Sequence, residues 1–337
     1  MAALRAKITA GRKTLGEVYG APLYGIKTGL NEAFIIDRAT RDRLVAADAK
    51  SAPLFEAFLG GDDISRWAAD TRDLFLINIP KGKVSIADYP ALAVWFDQHR
   101  ERSEGRATQQ EWFELQQAQL NYQPAFRKPK IIYPEISQGA KFALDPSGSL
   151  VNKTVFCIAS ADTALLALLN SRLCWFFIFG EATSLRGGKW RILLQAIYVE
   201  TIPIPEMEAS AKQRLTALGE TGANGAAVRR DLSNAVQRRI LDLAPPGRQK
   251  LTRKLEAWYE LDFTAFRAEV KSAFKTEIPV KERGDWEAYL AENAAEVHRL
   301  SAKVATAERE IDAIVYGLFD LTPEEIVLLE ASIAGQH

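Results

Sequence analysis

Thr183-Ser184-Leu185-Arg186-Gly187-Gly188-Lys189-Trp190-Arg191-Ile192-Leu193-Leu194, closed further on by Ile202-Pro203-Ile204-Pro205, divides the chain in two. The paired glycines permit positive φ and would let the backbone approach whatever the loop touches. Three cations and an indole frame them. The closing Pro-x-Pro stops regular structure. Before it lie short strand-like segments, aromatics and turns; after it every segment has helical period. The pattern predicts an α+β chain. Residues 1–13 read as a linker or helix tail, 14–205 as a lobe of short, mostly antiparallel strands with packed helices, and 206–337 as an all-helical region. The stretch 183–205 reads as a contact loop and as a hinge.

Working outward, residues 15–18, 24–26 and 33–37 read as strand-like pieces separated by Gly20, Gly25 and Gly29. Thr40 is expected to cap a helix reaching 47, and a second helix is expected over 51–59, stopping at Gly60-Gly61. A strand follows at 74–79, then the basic turn Lys81-Gly82-Lys83 and an amphipathic helix over 89–100. Residues 105–124 are polar and carry no clear period; Trp112, Phe113 and Leu115 anchor them. Strands are predicted at 131–134, 142–144 and 155–158, with an Asp145-Pro146-Ser147-Gly148 turn. Asp162 caps an apolar helix to 169, and a second runs over 171–179; both are apolar nearly all round and belong in the core. Beyond Pro205 helices are expected over 209–219, 224–243, 250–261, 263–275, 284–318 and 323–333.

The chain has 337 residues and a formal net charge of zero. Residues 1–205 hold 25 Lys+Arg against 21 Asp+Glu, and 206–337 hold 18 against 22. A nucleic-acid binder of this composition must concentrate its positive charge in loops. Cys157 and Cys174 are the two cysteines. Their apolar surroundings suit buried thiols in a reducing cytoplasm. No apolar run reaches the length of a membrane span and the N-terminus has no signal-peptide pattern, so no membrane partner is expected.

Catalytic chemistry is hard to find. An S-adenosylmethionine site needs a glycine-rich turn after a strand, and Gly60-Gly61 is read as ending a helix. An amino-methylating DNA enzyme also carries Asn/Asp-Pro-Pro-aromatic; the Pro-Pro here, Pro245-Pro246, lies between Ala244 and Gly247. No cofactor and no catalytic residue is therefore expected in this chain. His99, His298 and His337 are far apart and away from the cysteines, so no metal site is expected, and His99 and His298 read as solvated helix-surface residues. Asp262 with Glu269-Val270-Lys271 is the nearest approach to a nuclease pattern, on an amphipathic helix. What remains is binding chemistry. Candidate contact residues are Arg186, Gly187, Gly188, Lys189 and Arg191, then Lys27, Thr28 and Asn31, Lys81 and Lys83, Lys128 and Lys130, and Lys153. The bland alternative for 81–83 and 127–130 is a solvated turn. Trp67 and Trp190 read as packing aromatics, and Arg229-Arg230 and Arg238-Arg239 as a solvated or inter-helix charged face.

Five blocks of residues, in order, carry a resemblance. They are Tyr24-Gly25-Ile26-Lys27-Thr28-Gly29-Leu30-Asn31-Glu32-Ala33-Phe34; Phe58-Leu59-Gly60-Gly61-Asp62-Asp63-Ile64-Ser65-Arg66-Trp67; Lys128-Pro129-Lys130-Ile131-Ile132-Tyr133-Pro134-Glu135; Leu165-Leu166-Ala167-Leu168-Leu169-Asn170-Ser171; and the opening stretch. Together they resemble the TaqI-like C-terminal specificity domain of adenine-specific DNA methyltransferases and of fused type IIG restriction-modification enzymes. The family usually carries a charged residue where Gly61 stands.

The resemblance implies a target-recognition domain over 14–205 that grips duplex DNA while a methyltransferase domain flips and methylates the adenine. It implies double-stranded DNA and a methyltransferase, or also a nuclease, domain or subunit as partners. S-adenosylmethionine would belong to that methyltransferase domain, and residues 206–337 would be a spacer or docking region. Within this reading Pro203 and Pro205 mark the end of the domain. Lys27, Thr28 and Asn31 stand either at DNA or at the interface to the catalytic domain. The runner-up is a scaffold subunit of a restriction-modification or phage-defence complex with weak DNA contact.

Overall fold

Lys130–Pro134, apolar but for Lys130, and Val155–Ile158 are buried on both faces, and they pair antiparallel at the centre of a five-stranded sheet. The computed structural model describes residues 1–70, 73–185, 191–247 and 250–334. The order across this sheet is Leu23–Tyr24, Val155–Ile158, Lys130–Pro134, Ala143–Asp145, Trp67–Ala68; the last pair alone is parallel. A four-stranded sheet runs Leu150–Val151, Phe55–Leu59, Leu74–Ile77, Ile35–Asp37, again with one parallel pair, the first. Thr183–Leu185, Arg191–Leu193 and Ile136–Ser137 form a smaller antiparallel sheet, and Lys13–Thr14 pairs Pro203–Ile204. The strands are short and mostly antiparallel, as the turn-rich sequence requires.

Two apolar helices pack in this lobe. Asp162 caps Thr163–Leu169 by accepting from the Ala164 and Leu165 amides, and Ser171 caps Arg172–Glu181 by accepting from Cys174. They meet at 60°, and no single helix among the described residues is long and apolar enough to cross a membrane. The N-terminal residues 2–9 form a helix whose Leu4 and Ile8 are buried. Its Arg5 donates to the Phe176 and Phe177 carbonyls. Trp67 is buried, as expected of a packing aromatic.

Several local expectations give way to tertiary pairing. Residues 49–54 form a 3-10 helix containing Pro53, and 55–59 is a strand rather than the helix predicted over 51–59. Phe55, Phe58 and Leu59 have helical spacing, but the backbone of this segment finds partners on both sides, in Leu74–Ile77 and Leu150–Val151. Residues 15–18 were expected as a strand; they lie in the helix Leu15–Tyr19, set by a Thr14/Glu17 capping box. Asp37, not Thr40, caps Arg38–Ala47. His99 is half-buried, its ring 5.1 Å from that of Trp95, and is not a solvated surface residue.

The chain divides into two compact units, Met1–Gly219 with Glu310–His337, and Glu220–Arg309. The second has its own core, with Trp258, Phe266, Val270 and Phe274 against Val236 and Ile240. There the paired arginines behave as a charged helix face: Arg229 donates to Ser301 Oγ, Arg230 pairs Asp231, and Arg239 lies over the Tyr289 ring. The expected break near 220 is absent, because Ala209–Leu241 is one helix. Its glycines serve close approach instead. A Cβ at Gly219 would stand 2.1 Å from the Thr163 carbonyl oxygen, and one at Gly225 2.9 Å from Val304 Cγ2.

Candidate nucleic-acid interface

Lys130, one of the predicted contacts, is fully buried. Its ammonium donates to Asp145 Oδ2 (2.5 Å) and to the Phe126 and Ser149 carbonyls (2.7 and 2.8 Å). With three acceptors around three donors it has nothing left to offer a ligand, so the prediction is corrected: Lys130 is a core lysine. Thr28 is corrected too. It is buried, its hydroxyl donates to Asn31 Oδ1 (2.6 Å), and its carbonyl accepts from Arg106. Asn31 is exposed, with that oxygen already engaged.

The other described candidates are accessible. Lys81, Lys83, Lys128 and Lys153 are exposed and Lys27 is half-buried. None of these five ammonium groups has a protein partner among the described residues. Arg191 is exposed at the start of a strand paired with Thr183–Leu185. Arg186, Gly187, Gly188 and Lys189, with Trp190, lie outside the described residues.

The structure gathers Lys27, Lys81 and Lys153 around one region of the lobe. The Lys153 amide donates to the Ile26 carbonyl (2.8 Å), and Lys27 and Gln117 exchange backbone hydrogen bonds of 3.0 and 2.9 Å. Gly25 makes this possible: a Cβ there would stand 2.1 Å from the Asn152 carbonyl oxygen. A cleft of about 490 Å³ opens beside them, lined by Tyr24, Lys81 and residues 115–122. This loop was unassigned from sequence, although four of its residues in six, Gln116, Gln117, Gln119 and Asn121, are amides. That density of amides was the available signal.

The segments flanking the loop are held from beneath. Arg106 donates to five carbonyls, those of Thr28, Ser103, Glu111, Trp112 and Glu114, at 2.8–3.1 Å. Burial lowers the pKa of its guanidinium, against the pull of the Glu114 carboxylate. Glu114, itself buried, accepts from the Gly82 amide (2.6 Å) and so ties the Lys81-Gly82-Lys83 turn to the same base. At the far end buried Gln123 donates to the Ala118 carbonyl and to Asn78, and accepts from Arg127. Arg127 grips Glu56 with two bonds of 2.7 and 2.8 Å. Burial raises the Glu56 pKa, but the Arg127 and Asn78 hydrogen bonds outweigh it and leave the group below its ordinary value. The loop backbone is bonded at 116–119, to Thr28, Lys27, Tyr122 and Gln123, whereas the side chains of Gln117, Gln119 and Asn121 make no hydrogen bond among the described residues. Gln119 holds φ +55.

Other patterns resolve into structure. Asp262 caps a helix by accepting from Ala265, Glu269 accepts from Thr252, and Lys271 pairs Glu277, so the nuclease-like residues do not converge. Gly60-Gly61 follows a strand rather than a helix, which removes that ground for excluding a cofactor turn. The turn is closed by Asp63, whose carboxylate accepts from the Gly60 amide (2.6 Å). No group of three His, Cys, Asp or Glu able to hold a metal occurs among the described residues.

Comparison with known proteins matches residues 56–204 to the TaqI-like C-terminal specificity domain, and 208–315 to a domain of unknown function. The chain is 23% identical over 211 residues to the type II methyltransferase M.BanIII of Aneurinibacillus aneurinilyticus, covering 57% of this chain and 35% of that one. It is 26% identical over 148 residues to the type II methyltransferase M.BstVI of Geobacillus stearothermophilus, covering 41% and 26%. The matched segments thus span about a third or less of these relatives. The fold is similar to that of the type IIL restriction-modification enzyme MmeI, solved in complex with DNA: TM-score 0.55, 11% identity, 96% of this chain and 36% of that one. Residues 56–204 of this chain, which hold most of its sheet strands, are thus similar to a TaqI-like C-terminal specificity domain.

Proposed function

We propose that this chain recognises a DNA target and presents its adenine to a methyltransferase domain or subunit, within a restriction-modification system. The specificity-domain match over 56–204 carries the reading. It is supported by Lys81, which lines a polar cleft, and by Lys27 and Lys153, joined through their backbones to Gln117 and Ile26; none of the three ammonium groups has a protein partner among the described residues. Lys83, Lys128 and Arg191 are further phosphate contacts in this proposal, as are Arg186, Gly187, Gly188 and Lys189, which lie outside the described residues. Residues 206–337 act as spacer or docking region. S-adenosylmethionine would be held by the methyltransferase partner. The site of action is the cytoplasm, in keeping with two free buried thiols, of which burial pushes Cys157 up to about 12. The scaffold alternative is not favoured by a specificity-domain match.

A salt titration of duplex binding tests the reading. The logarithm of the association constant is expected to fall linearly with the logarithm of salt. Each of Lys27→Ala, Lys81→Ala and Lys153→Ala should shrink the slope by about 0.9. Salt-independent binding, or none, rejects it.

A further inference from the structure

We infer that the loop 116–121 reads base-pair edges of duplex DNA, with Gln117, Gln119 and Asn121 directed at adenine and Lys27 and Lys81 on the flanking phosphates. The inference rests on the target-recognition reading and gives it a reading element outside the basic stretches that sequence singled out. Three separate observations lead to it.

The first is the contrast between backbone and side chains. A loop whose only task is to connect elements does not need paired backbone bonds to Lys27, the Ala118 and Gln119 carbonyls held by Gln123 and Tyr122, an Asn78, Gln123 and Glu56 network at its end, and a preceding segment 111–114 gripped by Arg106. Here the backbone is ordered in advance, so little entropy remains to be lost when the side chains meet a ligand. The second is chemical. A primary amide presents a donor and an acceptor side by side, the pattern that matches N6 and N7 of adenine in the major groove. Three such groups, without protein partners among the described residues, line one cleft. Exposed Leu120 and Tyr24, 46% and 44% accessible, stand among them and supply apolar surface for a thymine methyl. Tyr24 is held in place by the edge of Tyr122, ring centres 5.7 Å apart. The third is conformational. Gln119 sits in the left-handed region, where a non-glycine residue costs about 1 kcal/mol or more and persists only if the surroundings impose it. The Gln119 carbonyl is pinned by the Tyr122 and Gln123 amides (2.8 and 3.1 Å), which fixes the direction of the side chain's departure.

Selection of duplexes from a randomised pool by the full chain tests this. The variants are Gln117→Ala/Gln119→Gly/Asn121→Ala, with glycine at 119 to suit its φ, and Gln117→Glu/Asn121→Asp. The wild type is expected to enrich a short motif. The first variant should keep part of that motif while one or more A·T positions become degenerate, with a loss of about 5- to 150-fold for each contact removed. The second should shift those positions toward C·G, because a carboxylate only accepts and cytosine N4 donates. A shift in preference cannot arise from misfolding. If both variants enrich the wild-type motif unchanged, the loop assignment is overturned while the target-recognition reading stands. If the wild type enriches no motif, the target-recognition reading itself falls, and the loop assignment with it.

Discussion

Lys130 and the loop 116–121 are both polar features of the same lobe, and they are built in opposite ways. The Lys130 ammonium has every donor engaged by the protein and no contact with solvent. The amides of Gln117, Gln119 and Asn121 stand on a loop bonded at 116–119 and, among the described residues, have no protein partner at their tips. The first arrangement fixes the fold, because a buried charge is tolerable only when paired and hydrogen-bonded. The second leaves hydrogen-bonding capacity unspent at a defined place, which is what recognition requires. A positively charged side chain in a basic stretch is therefore a poor guide to contact; the better guide is which donors and acceptors the fold leaves unused.

The largest effect expected is on stability. Lys130→Met leaves Asp145 buried without its cation and should cost about 3–5 kcal/mol in chemical denaturation. A loss below about 1 kcal/mol would mean the pair is not the structural element described here.

Next comes a buried charge with a weaker partnership. Asp312 is nearly buried, accepts from the Arg172 amide (2.8 Å), and has the Arg172 guanidinium at 3.6 Å. Burial dominates and pushes its carboxyl up to about 6. A raised carboxyl pKa means that the folded state holds its proton more tightly than the unfolded state. Stability from this group is thus full below pH of about 4 and declines as pH rises to about 6, by roughly 2–3 kcal/mol. Asp312→Asn, which can still accept from Arg172, should remove that pH dependence and raise the midpoint at neutral pH.

Arg106→Lys should be milder, about 1–3 kcal/mol, since a lysine reaches fewer of the five carbonyls. Its distinguishing consequence is faster amide hydrogen exchange at 115–118. Smallest of all, Gln117→Ala/Asn121→Ala should move stability by less than about 0.5 kcal/mol. A larger loss would make these amides structural, like Lys130, and erase the contrast.

Much of this was legible from sequence. Asp162 and Ser171 followed by apolar runs marked two core helices, and the strand at 155–158 followed from its β-branched and aromatic run. The strand 55–59 was not legible, because Phe55, Phe58 and Leu59 satisfy a helical period and only pairing with two distant strands decides otherwise. Nor was the long helix 209–241, whose glycines look like breaks but allow close packing. Of the lysines named as candidates from sequence, Lys81, Lys83, Lys128 and Lys153 are exposed, whereas Lys130 looked identical to Lys128 two positions earlier. What separates them is Asp145, fifteen residues on, brought opposite by strand pairing. The amide loop was overlooked because it lacks both charge and periodicity.

The most direct test of the account is the ratio of affinities of the full wild-type chain for its selected duplex and for a scrambled duplex, at about 150 mM salt. The account predicts a ratio of about 10³ or more. A ratio near one would contradict it.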